Sequence, residues 1–540
     1  MRERKAFVSR VLGFLFMGTV LVFGLLSCKG KDVPASASGT DDMSKEYTYS
    51  FAMLNWGQLR GTDFVSDELA QHFQKKFNFK WDVTVTSWAD WVEKPRIWIN
   101  SNDMPDMVFT NFNFKDYISW LDQGLIKRLP EGWKETYPYL ATVWNNTILG
   151  PALEEKAAGN PGAVLDVIFF SKPTSPKISS HMSVFFRKDW AAALGFEIKD
   201  AYTLKEFTAM IDKFMAQGSS LPGVTRGKVD TWSIETDNAV NLFVNHQWAD
   251  STRFYKNASG KYVWGLDDPR TFELVQNMKS AIQRGVVSPN FASFKNQEED
   301  DFFYTGQAFA TYTNGWIGHV YTDWRKFQDS TGLDPFECIQ ETTIIDADGN
   351  YQGYEELNFF SALFFSPNMD DAKMTRLLKI LDYVASPEGQ SYVRMGFEGK
   401  DYTKNGDTIT ITREKDASGN FVEIYDKYPG SGIYSHMTIC ADNYEVTNPA
   451  VPQSYHNVVR TMYGTRQKLG VDTGTLKDYN WELYFFEGPN YLKFNTSIGE
   501  ELIRVAMLDG DLKTNYDRWL REMRPVVDPV LAELNAAYGN

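Results

Sequence analysis

The sequence predicts an α/β protein with parallel sheet, divided into two or three lobes. Two observations carry this. From residue 46 onward the chain alternates short apolar runs with segments of helical spacing, the order that builds a parallel sheet. The stretch 46–540 is too long for a single core, and a hydrophobic content of 43% is ample for more than one.

In chain order, the first feature is a leader. Arg2, Arg4, Lys5 and Arg10 form a positive n-region, and Val11 to Leu26 is an uncharged run of 16 residues ending in Leu25-Leu26-Ser27-Cys28. A basic start, an apolar run and a small residue before a cysteine resemble a bacterial lipoprotein signal. That resemblance implies cleavage before Cys28, which becomes the lipid-bearing first residue and leaves 1–27 as signal peptide. An uncleaved anchor is the alternative, but the run is shorter than the roughly 20 residues of a typical span. Both put the body of the chain outside the cytoplasm. Residues 28–45 have no aromatic and abound in Ser, Ala, Gly and Asp; too little surface is available to repay ordering, so a flexible tether is expected.

The folded elements follow. YTYSFAML (47–54) reads as a buried strand ended by Asn55-Trp56-Gly57, and 63–77 as a helix with Phe64, Leu69, Phe73 and Phe77 near one face. KWDVTVT (80–86) and DMVFT (106–110) read as the next strands. Trp88, Trp91 and Trp98 recur at helical spacing, which favours core packing. Thr203 with Glu206, and Ser497 with Glu500, have the pattern of capping boxes. Residues 370–385 place Met374, Leu377, Leu378, Leu381 and Val384 on one face, and Ser386-Pro387 opens a further helix. DTITITR, a turn through 416–420 and FVEIYD read as a hairpin over 407–426.

Composition limits the function classes. The chain has 55 basic and 70 acidic side chains; cleavage before Cys28 leaves 51 against 69, a net −18. So acidic a body disfavours nucleic acid and anionic lipid as partners. Apart from Cys28 the cysteines are Cys338 and Cys440, which the compartment allows to pair without making a disulfide scaffold. The chain holds 16 Trp, 27 Tyr and 38 Phe. Trp and Tyr offer a flat apolar face with a polar edge, which suits a sugar ring with its C–H face and hydroxylated rim. Catalytic motifs are missing. The histidines at 72, 181, 246, 319, 436 and 456 make no H-E-x-x-H spacing, and neither G-x-S-x-G nor G-K-[ST] occurs. No enzyme activity, metal or cofactor is therefore expected, although two carboxylates far apart in sequence could still meet across a cleft.

Several stretches together resemble the family 1 extracellular solute-binding proteins of carbohydrate ABC transporters, in particular their long LipO-like lipoprotein subgroup. They are Asp103-Met104-Pro105-Asp106 with MVFTN, FKDYISWLDQGLIKRL (114–129), MSVFFRKDWAAALGFE (182–197), YTGQAFATYTNGW (304–316) and LKILDYVASPEGQSYVRMGFEGKDYT (378–403). The resemblance implies a two-lobed periplasmic-binding-protein-like fold of type II that closes about a hinge on a sugar, the longer chain pointing to an oligosaccharide. It also implies interleaved lobes: 46–130 completed by about 325–388, and 131–324 completed by about 389–540. A monomer at the membrane, serving ABC permease subunits, is the implied setting. Some relatives carry an Asp-rich calcium loop after the helix corresponding to 204–216. Here that stretch is GSSLPGVTRGKV (218–229), which has no carboxylate, so the calcium site is not carried over. Asp346-Ala347-Asp348-Gly349-Asn350 starts like a calcium loop but has Tyr351 at the sixth place and Leu357 at the twelfth, and reads more simply as a hairpin turn.

Ligands of parallel sheets lie beyond the carboxyl ends of the strands. Trp56, Asn111 and Trp316 (in Asn314-Gly315-Trp316) stand at such ends and are candidate sugar contacts, with strand capping the other reading for Asn111. Trp232 and Trp248 flank a polar segment and are either contacts or core. Trp481 and Glu487 lie in an aromatic loop, NWELYFFEGPN. A surface-anchored glycoside hydrolase, or an adhesin or sensor on the same fold, remains the alternative to a transport function.

Overall fold

The computed structural model describes residues 41–539 apart from 56–58, 62–63, 157–160, 167–177, 179–181, 222, 225–228, 295–297, 356–360, 407, 418 and 438–448. The leader, Cys28, Trp56, Leu357 and Cys440 therefore lie outside the described residues; Cys338 is a buried free thiol.

Two five-stranded sheets organise the chain. The first has the order β2–β1–β3–β13–β4, from β1 (Tyr47–Leu54), β2 (Phe79–Thr86), β3 (Met107–Thr110), β4 (Ala163–Asp166) and β13 (Ser361–Phe365). β1 runs parallel to β2 in unbroken register from Tyr47↔Phe79 to Leu54↔Thr86, and parallel to β3; β13 is antiparallel to β3 and β4. Phe51 to Leu54 are buried without alternation, as a strand covered on both faces requires. The second sheet has the order β6–β11–β5–β10–β7, from β5 (Ser183–Arg187), β6 (Ala201–Thr203), β7 (Asp230–Ser233), β10 (Ala308–Thr313) and β11 (Ile339–Ile345). Here β5 runs antiparallel to β10 and β11. Its side chains alternate between two cores: Val184 and Phe186 on one face, Phe185 on the other.

Most local expectations hold. The helix Glu68–Phe77 starts later than the apolar spacing implied, because the Asp67 side chain accepts from Ala70 N, and Asn78 at φ +49° ends it. Thr203 and Glu206 form the reciprocal capping box of the helix Leu204–Gln217. The helices Asp371–Ala385 and Pro387–Met395 begin at Asp370 and Ser386, each capping with its side chain.

Other expectations are corrected. Ser497 makes no cap bond to the helix Ile498–Met507; its ψ of 94° falls short of the extended range of the capping residues above. DTITITR pairs backwards: β15 (Thr408–Ile411) joins β14 (Tyr402–Asn405), the turn through 416–420 is closed by the bridge Lys415↔Phe421 with Asp416 N bonded to Asn420 O and Val422 N to Glu414 O, and the helix Ile424–Lys427 follows. The Asp346 loop is a turn, with Asp346 N bonded to Asn350 O at 2.8 Å, but no hairpin; β12 (Gly353–Tyr354) pairs instead with β16 (Leu476–Lys477). Trp88 and Trp91 precede the helix Glu93–Asn100 rather than sharing its face, and only Trp91 is buried.

The lobes interleave with boundaries that differ from 46–130 with 325–388. Trp133, Tyr137, Leu140 and Trp144 pack in the first-lobe core, and β4 extends the first sheet, so residues 131–166 belong there. β11 belongs to the second sheet, so 325–345 does too. Val393, Ile424 and Tyr434 bring 387–437 back to the first lobe, while the helices Gln453–Arg466, Ile498–Met507 and Leu512–Tyr538 pack on the second. The expected tether is shorter at its far end. Asp41 accepts from Nε and Nη2 of the fully buried Arg376 at 2.8 and 2.6 Å, and Lys45 O accepts from Nη1 at 2.6 Å, so 41–45 are part of the fold.

Candidate functional site

The chain passes between the sheets at one edge of each. It leaves the first sheet at Asp166, paired with Ser361, and next pairs in the second sheet at Ser183, opposite Thr313. It leaves the second sheet at Ile345 and re-enters the first at Ser361. Every one of these residues lies at the carboxyl edge of its parallel strands. The carboxyl edges of β1, β2 and β3 and those of β7, β10 and β11 are therefore the edges at which the chain passes between the sheets. This is where open α/β sheets hold ligands.

On the first-lobe edge, the Asn55 side chain closes the loop after β1, donating to Leu59 O and accepting from Leu59 N, both at 3.1 Å. Trp56 lies outside the described residues. After β2, Trp88 is 56% exposed and meets Trp91 edge-on at 5.9 Å. Trp91 is held by its carbonyl, which accepts from the Thr110 hydroxyl at 2.8 Å. Asn111, half-buried, accepts from Phe112 N at 2.7 Å, a strand-end cap that leaves its amide nitrogen for other work. Helical spacing hid Trp88: the helix starts only at Glu93, and the tryptophan turns outward in the preceding turn.

On the second-lobe edge, Trp316 is half-buried at the start of the helix Ile317–Thr331, its ring 5.3 Å from that of His319. Just before it, Asn314 is buried and its Oδ1 has no hydrogen-bond partner among the described residues. The helix Glu298–Tyr304 lies over the same strand ends, since the Ser233 hydroxyl donates to Glu299 O at 2.9 Å. Thr311 and Thr313 donate to Asp300, the first at 3.1 Å. Burial, and then the charge of Asp300, pushes the Glu299 carboxyl up to about 8. Burial likewise raises Asp300 to about 7, against the Thr313 hydrogen bond and with the Asp323 charge. The sequence masks both carboxyls inside the run EEDD, which has the look of a solvated face.

The other candidates stand in different surroundings. Trp232 is fully buried in the second-lobe core, 4.7 Å from Phe207 and 5.8 Å from Phe243. It is a core residue, because the helix Leu204–Gln217 covers its side of β7. Trp248 has the Arg270 guanidinium 3.8 Å over its ring and Tyr255 edge-on at 5.7 Å, so one face is taken. Trp481 stacks on Phe485 at 5.6 Å in a strap between the lobes: Trp481, Tyr484 and Phe485 pack on the first-lobe core, Leu483 and Phe486 on the second. Glu487 is exposed beyond the strap, in a groove of about 560 Å³ with Lys115, Ser119 and Asp122 of the helix Phe114–Asp122 and with Lys493. The structure thus places Asn111 and Trp316 at carboxyl edges where the chain passes between the sheets, Trp232 in the second-lobe core, Trp248 against Arg270, and Trp481 in the strap between the lobes with Glu487 exposed beyond it.

No protein-family model matches the chain, and no curated protein matches it in sequence. Solved structures do match in fold. One is the alginate-binding protein AlgQ2, with a TM-score of 0.61 and 13% identity over 93% of this chain and 100% of that one. Another is a human-milk-oligosaccharide-binding, ABC-transporter-associated solute-binding protein of Bifidobacterium longum infantis, with a TM-score of 0.62 and 11% identity over 92% and 100%. A third is the Streptococcus pneumoniae ABC-transporter substrate-binding protein FusA in complex with kestose, with a TM-score of 0.63 and 14% identity over 91% and 98%. The chain has the two-lobed α/β fold of these solute-binding proteins along nearly its whole length.

Proposed function

We propose that this chain captures a sugar, an oligosaccharide, between its two lobes and delivers it to an ABC permease, held at the outer face of a membrane by lipid on Cys28. One observation carries the reading: the chain passes between the two sheets at their carboxyl edges, with an exposed Trp88 and Asn111 on one edge and Trp316 on the other. The mechanism is binding and hinge closure, with no bond made or broken. Aromatic faces stack on sugar rings while amide and carboxyl groups meet hydroxyls. Fold-level matches to alginate-, kestose- and milk-oligosaccharide-binding proteins support a carbohydrate ligand and a permease partner. Among the described residues, no helix is long and apolar enough to cross a membrane, so in this reading the lipid provides the attachment. The hydrolase alternative gains nothing from Glu299 and Asp300, which are adjacent and both on the second lobe rather than facing across the gap.

A thermal-shift screen against purified oligosaccharides tests the reading. A ligand present at 100 times its Kd adds about 2.7 kcal/mol of stability. A clear rise with at least one oligosaccharide is expected; no rise across a broad panel would contradict sugar capture.

A further inference from the structure

One buried acceptor at the second-lobe edge has no partner among the described residues. Asn314 is 9% exposed and its Oδ1 is not hydrogen-bonded there, while the buried Glu299 carboxyl meets the Glu235 side chain. Buried polar atoms are paired in the great majority of cases, so an orphaned acceptor at this sheet edge is a place for a donor from outside the chain. Asn314 follows Thr313, whose hydroxyl holds Asp300, and Asp300 follows Glu299. Asn314 and the Glu299 and Asp300 carboxyls therefore belong to one polar corner beside Trp316.

We infer that this corner is a subsite for a neutral sugar unit that offers hydrogen-bond donors, hydroxyl or amide N–H, and that it rejects uronates and other acidic sugars. The inference rests on the sugar-capture reading and specifies its ligand. Asn314 Oδ1 can only accept, so the ligand must donate to it. Burial, the Asp300 charge and the contact with Glu235 raise the Glu299 carboxyl, which shares its proton within the chain and stands beside the subsite as one of a cluster of acids. The surrounding charges are acidic: Asp300, Asp323 and Glu235 all lie close enough to act on Glu299 or Asp300. His319 is the nearby base, and its Nδ1 is 3.1 Å from Asp323. A ligand carboxylate would meet like charge in a desolvated place, where repulsion is strongest.

The test is calorimetric titration of the purified protein at pH 7 with neutral fructo-, manno-, xylo- and N-acetylhexosamine oligosaccharides and with oligouronates of matched length. At least one neutral series is expected to bind, with every oligouronate at least a hundredfold weaker. Asn314→Ala should raise the Kd of that neutral sugar about tenfold while its circular dichroism and melting temperature stay close to wild type. An oligouronate that binds as tightly as the best neutral sugar overturns the inference and leaves sugar capture standing. An unchanged Kd in folded Asn314→Ala overturns it as well. If that variant does not fold, the neutral-to-uronate ratio of the wild type decides alone. Failure of every sugar, neutral and acidic, removes sugar capture itself and the subsite with it.

Discussion

At the scale of single residues, burial separates side chains of one type into different roles. Trp232 and Trp316 both stand near strand ends, yet the first is core and the second is half-buried at the head of the helix Ile317–Thr331. Trp316→Ala should weaken sugar affinity by about 1–3 kcal/mol, by analogy with aromatic hot spots at interfaces, or roughly fivefold to a hundredfold in Kd. Calorimetry on a variant with wild-type circular dichroism checks this; normal binding would move the site away from β10. Glu299 gives a pH signature. Its carboxyl rises from 4.5 to about 8, burial being the first cause and the Asp300 charge the second. The fold thus prefers the neutral form. The stability tied to it is fully present below pH 4.5 and is lost as pH rises through about 8. Glu299→Gln removes that loss, so its melting temperature relative to wild type should be more favourable at pH 8 than at pH 5. A difference that stays constant across that window would show that Glu299 ionises freely.

At the scale of elements, local pattern revealed what local forces decide. β1 and β2 were legible because apolar runs bounded by Asn-Trp-Gly and a polar turn leave little else to form, and the caps at Thr203, Asp370 and Ser386 follow from side chains that reach their own backbone. Pairing was not legible. DTITITR fits a strand on either side of its turns, and only tertiary contact with Tyr402–Asn405 selects the partner. The Glu299–Asn314 corner was hidden for the same reason: its parts come from a charged run and a strand end that meet only after folding. Arg376 was equally hidden, inside a helix face read for its leucines. It is fully buried and ties Asp41 and Lys45 to the helix Asp371–Ala385 and, at 3.2 Å, to Asn78 O. Among the described residues, Arg376→Met leaves Asp41 only Lys379, at 2.9 Å, as a charged partner. Removing one partner of a buried pair costs about 3–5 kcal/mol. A denaturant midpoint lowered accordingly is the expected result; an unchanged midpoint would mean that residues 41–45 do not hold to the fold.

At the scale of the whole molecule, the lobes are joined by more than their connecting chain. Arg325, on the second lobe, pairs with Asp416 at 2.7 Å and approaches Glu423 at 3.8 Å, while Glu423 also takes Arg60 of the first lobe at 2.9 Å. Together with the aromatic strap at 481–486, these contacts set the relative position from which a hinge would move. The tether ends at the Arg376 clamp, so the proposed lipid would be linked to a defined point on the first lobe. Cys28→Ser should release the protein from membranes or leave the precursor uncleaved; a variant that matures and fractionates with membranes as before would contradict lipid anchoring.

The central claim, capture of an intact oligosaccharide between the lobes, is tested most directly by equilibrium titration of the purified protein with an oligosaccharide, followed by chromatography of the recovered sugar. The account predicts saturable one-to-one binding and sugar returned at its original length. Absence of binding across the neutral and acidic series, or sugar recovered in cut form, would contradict it.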